Sequence, residues 1–284
     1  MPRIFMYMFS MKSAGGLDVK KALSALMADG GDGSRHGCQQ IKHEGSSFRG
    51  DRDTVVINWG CGSSLPRAVR SCHVINSSEA VYNAIDKPTF LRLCTISGVR
   101  TVPWTDRTWE AQLWLDRGDT VFCRTQLHGR QGQGIVVVEP GGEIIRANLY
   151  TKYIEALREY RMHVCDGEVI AVHRKVQTGE PEDVANENYI KNTRNGWVFR
   201  RVSRYPRDCA TQAIAAIKAV GLDFGVVDVL WQSDQPERCQ LQEGAGGAYV
   251  LEANTATGID TMTWTCEQYA AALKQLAEKK VLTA

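Results

Sequence analysis

At 284 residues and 43% hydrophobic content, the chain is long enough to bury one large core or two or three adjoining lobes. A formal net charge of +2 excludes wholesale attraction to nucleic acid or anionic membrane and leaves only local charge clusters to consider. Nine cysteines, an odd number with no CxxC pair, exclude a zinc or disulfide framework; free thiols used as small apolar side chains in a reducing cytoplasm are expected.

The chain opens with RIFMYMF, which Lys12, Asp18, Lys20 and Lys21 follow too soon for a signal peptide or a membrane span, so a first strand is predicted. SMKSAGGLD reads as a Gly/Ser loop, and VKKALSALMAD as an amphipathic helix that GGDG ends. DTVVINWG is a continuous apolar run of the kind buried in a parallel sheet, and HVIN supplies a third strand. A small α/β unit over residues 1–85 is the expected result. In DKPTFLRLCTISGVRTVPWT a helix ends at Gly98 and an extended segment follows, since Pro103 forbids helix continuation. DTVFCRTQ and GIVVVEP are strands flanking LHGRQGQ, a Gly-rich hairpin tip. REYRMHVCDGEVIAVHRKV makes a second hairpin around Asp166-Gly167. After a polar segment, ATQAIAAIKAVGL is a periodic helix closed by Gly221. The strands FGVVDVLW and AYVLEANT, joined by a polar Gly-rich connection, precede a last helix, CEQYAAALKQLAEKK.

Acids in these last strands need a reason, because Glu and Asn gain little from a half-buried pleated surface. Alternation puts Glu252 and Asn254 on one face and Leu251 and Ala253 on the other. Asp228, alone between Val227 and Val229, should meet them if the two strands pair antiparallel. Two carboxylates plus a carboxamide oxygen form a hard-cation set suited to Mg2+ beside nucleotide phosphates. A satisfied polar strand end is the alternative. GRQGQG, residues 129–134, matches neither a Rossmann fingerprint nor a Walker loop. Its backbone N–H groups could approach an anion, with Arg124 on the preceding strand adding a permanent charge; a flexible turn is the alternative. The DFG at 223–225 lacks the catalytic loop of a protein kinase and is a chance match.

The order DKPTFLRL…GVRTVPWT, VFCRTQLHGRQGQGIVVV, YTKYIEALREYRMHVCDGEVIAVHRK, GLDFGVVDV…YVLEANTATG resembles the ATP-grasp superfamily from residue 52 onward, particularly small RimK-like ligases, including those of phage. The resemblance implies an α/β and α+β architecture. An N-terminal α/β (pre-ATP-grasp) domain would span 1–85, a small lobe with the Gly-rich loop 86–155, and a large lobe with the metal site 156–284. It further implies a cytoplasmic ligase that uses ATP and Mg2+, or Mn2+ in its place, to activate a carboxylate as an acyl phosphate and join it to an amine. The partners implied are a small-molecule or peptide carboxylate and an amine.

By position, Lys87, Arg124 and the loop glycines Gly129, Gly132 and Gly134 would hold phosphates. Lys152, Tyr153 and Ile154 would form the adenine hinge, largely through backbone groups. Asp228, Glu252 and Asn254 fall on the metal ligands. Arg161 and Lys175 would face the reacting phosphoryl group, with Glu159 orienting Arg161 or meeting the amine. Asn192 and Arg194 would lie near the substrate. Many members carry Lys where this chain has Arg124, which keeps the charge and adds a bidentate fork. D-alanine ligase-like members place Arg two residues before the metal Asp, and here that position is Val226, which speaks against that activity.

His163 and His173 read as structural, hydrogen-bonded histidines, with acid–base work, which the family does not require, as the alternative. From Ile190 to Arg207 the chain carries Lys191, Arg194, Arg200, Arg201, Arg204 and Arg207 without one acid. That run is either a solvated basic surface or a dock for an anionic substrate such as an acidic peptide tail, a polycarboxylate or nucleic acid, with Trp197 and Tyr205 available for stacking. Two other uses of the fold stay open: a protein that binds nucleotide without ligating, and kinase-like phosphotransfer.

Overall fold

The computed structural model describes residues 2–29, 37–127, 132–180, 189–233, 247–256, 258–259 and 263–283. The chain builds three sheets in sequence order, and the candidate site lies where the second and third approach each other.

The first sheet is parallel, with strands β1 (Arg3–Met8), β2 (Gln39–Gln40), β3 (Thr54–Trp59) and β4 (His73–Ile75) in the order β2-β1-β3-β4. All six residues of β3 are buried, as a continuous apolar run requires. Helix α1 (Ala14–Asp29) starts inside the segment expected to be a loop. Gly16 explains the difference: a Cβ there would stand 2.8 Å from Met8 Sδ, so its absence lets the first helical turn close onto β1. Helices α2 (Ser78–Ile85) and α3 (Lys87–Ile96) follow, capped by Ser77 and Asp86, whose side chains accept from Ala80 N at 3.1 Å and Thr89 N at 3.0 Å.

The second sheet is antiparallel, with strands β5 (Trp104–Thr105), β6 (Val121–Arg124), β7 (Ile135–Val138) and β8 (Leu149–Lys152) in the order β5-β8-β6-β7. Helix α4 (Thr108–Asp116) backs it, sharing a core in which Ala111, Trp114 and Leu115 meet Val121, Cys123 and Tyr150.

The third sheet is also antiparallel, in the order β11-β10-β9-β12-β13: β9 (Arg158–Cys165), β10 (Glu168–Gln177), β11 (Trp197–Arg201), β12 (Phe224–Gln232) and β13 (Gly247–Asn254). Alternation splits it cleanly. On one face Tyr160, Met162, Val164, Val227, Val229 and Ala253 pack under helix α5 (Arg207–Ala219). On the other, Cys165, Phe224 and Val226 join Tyr269 and Leu273 of helix α6 (Thr263–Leu282) and the N-terminal sheet in a second core. The left-handed Asn76 ties β4 to β12, its Oδ1 accepting from Asp223 N at 2.8 Å and its Nδ2 donating to Phe224 O at 2.9 Å. The polar face of the large sheet is thereby fixed against the rest of the molecule. Strand β11, which falls within the run read as basic and not as a strand, is an edge strand, where arginines are tolerated and discourage further pairing.

Candidate active site

On the face of the large sheet turned away from α5, Arg161, Asp228 and Glu252 stand directly opposite one another across β9, β12 and β13. The register shifts between Asp228 and Val229, with Val229 opposite Val250, so Leu251 is the extra residue of a β-bulge. Bulges re-aim neighbouring side chains, and this one sets Glu252 beside Asp228. Ala253 does face the α5 core, whereas Leu251, expected to join it there, is the unpaired residue of the bulge.

Arg161 holds Asp228 with a two-point fork, Nε to Oδ1 and Nη2 to Oδ2, both 2.8 Å, and stacks on Phe199 at 3.9 Å. The Asp228 side chain is only 6% exposed, so this pair is desolvated, and removing one partner should cost roughly 3–5 kcal/mol. Burial works against the charge on Arg161, but Asp228, Glu252 and Glu159 outweigh it and push the guanidinium pKa above its ordinary value.

Glu252 is the point where separate parts of the chain meet. Lys87, at the start of α3, places Nζ 2.5 Å from Glu252 Oε2, and Asn254 Nδ2 donates to Oε1 at 3.3 Å. Burial would raise the pKa of this carboxyl, yet Lys87, Arg124 and Asn254 together bring it from 4.5 down to about 2. Arg124, on β6 of the second sheet, has its own pKa lowered by burial, with Glu252 pulling the other way.

Glu159 accepts from Lys175, whose Nζ also donates to the Lys191 carbonyl at 2.9 Å. The expectation that Glu159 orients Arg161 therefore meets a different pairing: Asp228 takes the guanidinium and Glu159 takes the ammonium. Burial lifts Glu159 above the usual carboxylate range, with Lys175 pulling against it and Asp228 adding to it. Phe199, which no sequence signal singled out, lies under both Arg161 and Lys175, the latter at 5.0 Å. The β10–β11 register puts Phe199 opposite Lys175, which is what seats it there.

Lys152 pairs with Asp119 and lies over Trp114 at 5.6 Å, so its ammonium serves the second sheet. The N–H groups of Lys152 and Tyr153 are occupied by Pro103 O at 2.9 Å and Thr120 O at 2.8 Å. Gly132 and Gly134 have φ of +84° and +72°, and a Cβ on Gly132 would come within 2.9 Å of the Ile190 side chain. The glycine backbone thus runs close under the segment carrying Asn192 and Arg194. Gly129 lies outside the described residues. Asn192 caps the short turn Thr193–Asn195, its Oδ1 accepting from Asn195 N at 3.0 Å, and Arg194 on that turn is exposed.

His163 and His173 lie behind Arg161 in a buried chain: Tyr269 hydroxyl to His163 Nδ1 at 3.0 Å, His163 Nε2 to His173 Nδ1 at 2.8 Å, and His173 Nε2 to the Thr265 hydroxyl at 3.3 Å. Burial first, then each other and Arg161, push His163 well below its ordinary value; burial, Arg161 and Arg201 bring His173 to about 4. Both rings are neutral at physiological pH and brace the sheet against α6.

The oxygen set fits a divalent cation. Asp228 and Glu252 are opposite each other and Glu252 is ionised, while the nearby His163 and His173 are engaged with Tyr269, each other and Thr265. Among the described residues no three His, Cys, Asp or Glu side chains converge on one metal-sized space. A site of two carboxylates, completed by carboxamide, phosphate and water, has that composition.

No family model and no curated protein sequence matches the chain. Solved structures do. ATP-grasp ligase PsnB, complexed with minimal precursor, Mg and ADP, matches with TM-score 0.64 and 16% identity over 98% of this chain and 99% of that one. D-alanine–D-alanine ligase from Bacillus anthracis matches with TM-score 0.59 and 14% identity over 98% and 99%. A RimK domain ATP-grasp protein from Sphaerobacter thermophilus matches with TM-score 0.59 and 14% identity over 94% and 98%. The chain has the ATP-grasp fold. The ATP-grasp likeness extends through the N-terminal sheet as well as the two later ones, because nearly the whole chain is covered in each case. No helix of the chain is long and apolar enough, among the described residues, to cross a membrane.

Proposed function

We propose that the chain is an ATP- and Mg2+-dependent carboxylate-amine ligase. The observation that carries this reading is the convergence on Glu252: a lysine from α3, an arginine from the second sheet and the Asp228–Arg161 pair of the third surround one ionised carboxylate. Purely structural ion pairs do not need cations from three separate elements on the exposed side of one sheet. The division at residues 85/86 and 155/156 is supported by each span carrying its own sheet.

Lys87, which exchanges its hold on Glu252 for phosphate oxygens, and Arg124 hold the nucleotide phosphates, and the N–H groups around Gly132 and Gly134 lie over them. The Ile154 end of the 152–154 segment meets adenine, since the N–H groups of Lys152 and Tyr153 are spent within the protein. Asp228, Glu252 and Asn254 would hold Mg2+, which supplies charge neutralisation to the β- and γ-phosphates when bound. The substrate carboxylate attacks the γ-phosphorus, breaking the β–γ bridge bond and leaving ADP and an acyl phosphate. Arg161 and Lys175 stabilise the charge that develops in that transfer. Glu159, whose basicity burial raises, is placed to take a proton from the amine that next displaces phosphate. Asn192 and Arg194 border the entry for the carboxylate. PsnB was solved with a precursor peptide, which favours a peptide carboxylate as the substrate here.

The test is ADP release across pools of amino acids, polycarboxylates and acidic peptides, with hydroxylamine present. A hydroxamate formed only with ATP and Mg2+ supports the reading. A stable phosphorylated product would replace it with phosphotransfer, and saturable ATP binding without turnover on any pool would replace it with nucleotide binding alone.

A further inference from the structure

The basic run of residues 190–207 does not lie wholly on the catalytic face. A cavity of about 320 Å3 opens on the opposite side of the same strands, lined by Arg158, Tyr160, Arg174, Ser203, Arg204 and Tyr205. Alternation makes this the back of the active site: Arg158 and Tyr160 flank Glu159 on β9, and Arg174 precedes Lys175 on β10.

Among the described residues, no carboxylate answers these charges. Arg174 is directly opposite Arg200 across the antiparallel β10–β11 pair, an arrangement of like charges that destabilises a sheet unless something answers it. Arg158 and Arg174 are half-buried, and no carboxylate among the described residues pairs with Arg158, Arg174, Arg200 or Arg204. Arg201 also borders the cavity, but its guanidinium is stacked on Trp264 at 3.6 Å. Asp208, the acid nearest in sequence, is engaged elsewhere, with Arg100 Nη1 at 2.7 Å and Ala248 N at 2.9 Å. Pro206, the residue before the first turn of α5, lines the cavity too, so the positive end of a helix without a side-chain cap borders it.

We infer that this cavity is a binding site for an acidic peptide segment, two or more carboxylates of which take the Arg158, Arg174 and Arg204 guanidinium groups. Arginine forks match carboxylates two points at a time. Nucleic acid is the poorer fit, because it needs a long phosphate-tracking stripe, whereas this chain has a net charge of only +2 and these arginines are gathered around one cavity. The inference deepens the ligase reading, on which it rests for its purpose: the peptide held behind the sheet belongs to the substrate whose carboxylate reacts in front of it. Its chemistry stands alone.

Fluorescence anisotropy with a labelled hexaglutamate peptide tests it, with Mg-ATP binding and melting temperature measured in parallel. Saturable binding is expected at about 0.15 M salt. The double variant Arg158→Gln, Arg174→Gln should weaken it by about tenfold or more, the loss expected for charge-assisted hydrogen bonds, with Mg-ATP binding unchanged. Arg204→Gln, on an exposed loop where folding is not at stake, should weaken it by about threefold, the scale of an exposed charge pair. Absence of saturable peptide binding overturns the inference, as does equal binding by wild type and both variants. Tighter binding of a single-stranded oligonucleotide of the same charge also overturns it, and a site that only inorganic phosphate occupies rules out the peptide. Because peptide and Mg-ATP binding are read separately, this inference and the ligase reading can fail independently.

Discussion

Changing Glu252 to Gln keeps the shape of the side chain and its place on β13 while removing the one charge on which Lys87, Arg124 and Asn254 converge. The Lys87 and Glu252 side chains are 19% and 32% exposed, so their attraction is screened. Two unit charges near a surface gain about 4 kcal/mol at 4 Å before desolvation is subtracted. A net loss of about 1–2 kcal/mol is therefore expected, too little to unfold a stable domain. Turnover should fall much further, by about 100- to 1000-fold, as when one preorganised electrostatic contact to a transition state is lost. The Mg2+ concentration for half-maximal ADP release should rise with it. Urea unfolding gives the first quantity, and steady-state ADP release across a Mg2+ series gives the other two. A folded Glu252→Gln protein with wild-type turnover and wild-type Mg2+ dependence would refute the metal site and the phosphate roles built around it.

Lys175→Met leaves the buried Glu159 without its cation and should cost up to about 3–5 kcal/mol, capped by protonation of the carboxyl; adding Glu159→Leu should restore most of it in urea melts. An additive double variant would show that the pair is not coupled. Mg-ATP should slow protease cleavage around residues 132–134, since ligand contacts reduce local opening, and a cleavage rate unaltered by Mg-ATP would count against phosphate binding there. The His163–His173 pair titrates below the ordinary 6.5, with His173 at about 4, so the unfolded chain binds more protons between those values. Stability should thus be full above pH 6.5 and decline as pH falls toward 4, by about 1.4 kcal/mol per pH unit for each extra proton. Urea midpoints at pH 7 and pH 5 check the sign, and a midpoint that rises on acidification contradicts it.

The strands of the candidate site were legible in the sequence because polar residues interrupted otherwise apolar runs. Asp228 between valines and Glu252 beside Asn254 marked one sheet face, and the antiparallel pairing of their strands followed from order alone. The hairpin around Asp166-Gly167 was legible too, from its turn residues, both of which have positive φ. What sequence could not supply was register. The bulge at Leu251, the fork of Arg161 on Asp228 instead of Glu159, and the seat of Phe199 under two cations all depend on which residues stand opposite one another. Short elements such as β2, β5 and β11 also escaped notice, since two to five residues of strand form only because a neighbouring strand is already in place. The basic run of 190–207 was legible as charge, but its separation onto two sides of one sheet was not.

The central claim is that a substrate carboxylate is activated by phosphorylation. The most direct measurement uses a carboxylate found to support turnover, labelled with 18O in both oxygens, and follows released phosphate by 31P NMR. Attack of that carboxylate on the γ-phosphorus, followed by amine displacement, must leave one labelled oxygen in each phosphate, and that transfer is the expected result. Released phosphate without label, or label retained in a stable phosphorylated product, would contradict it.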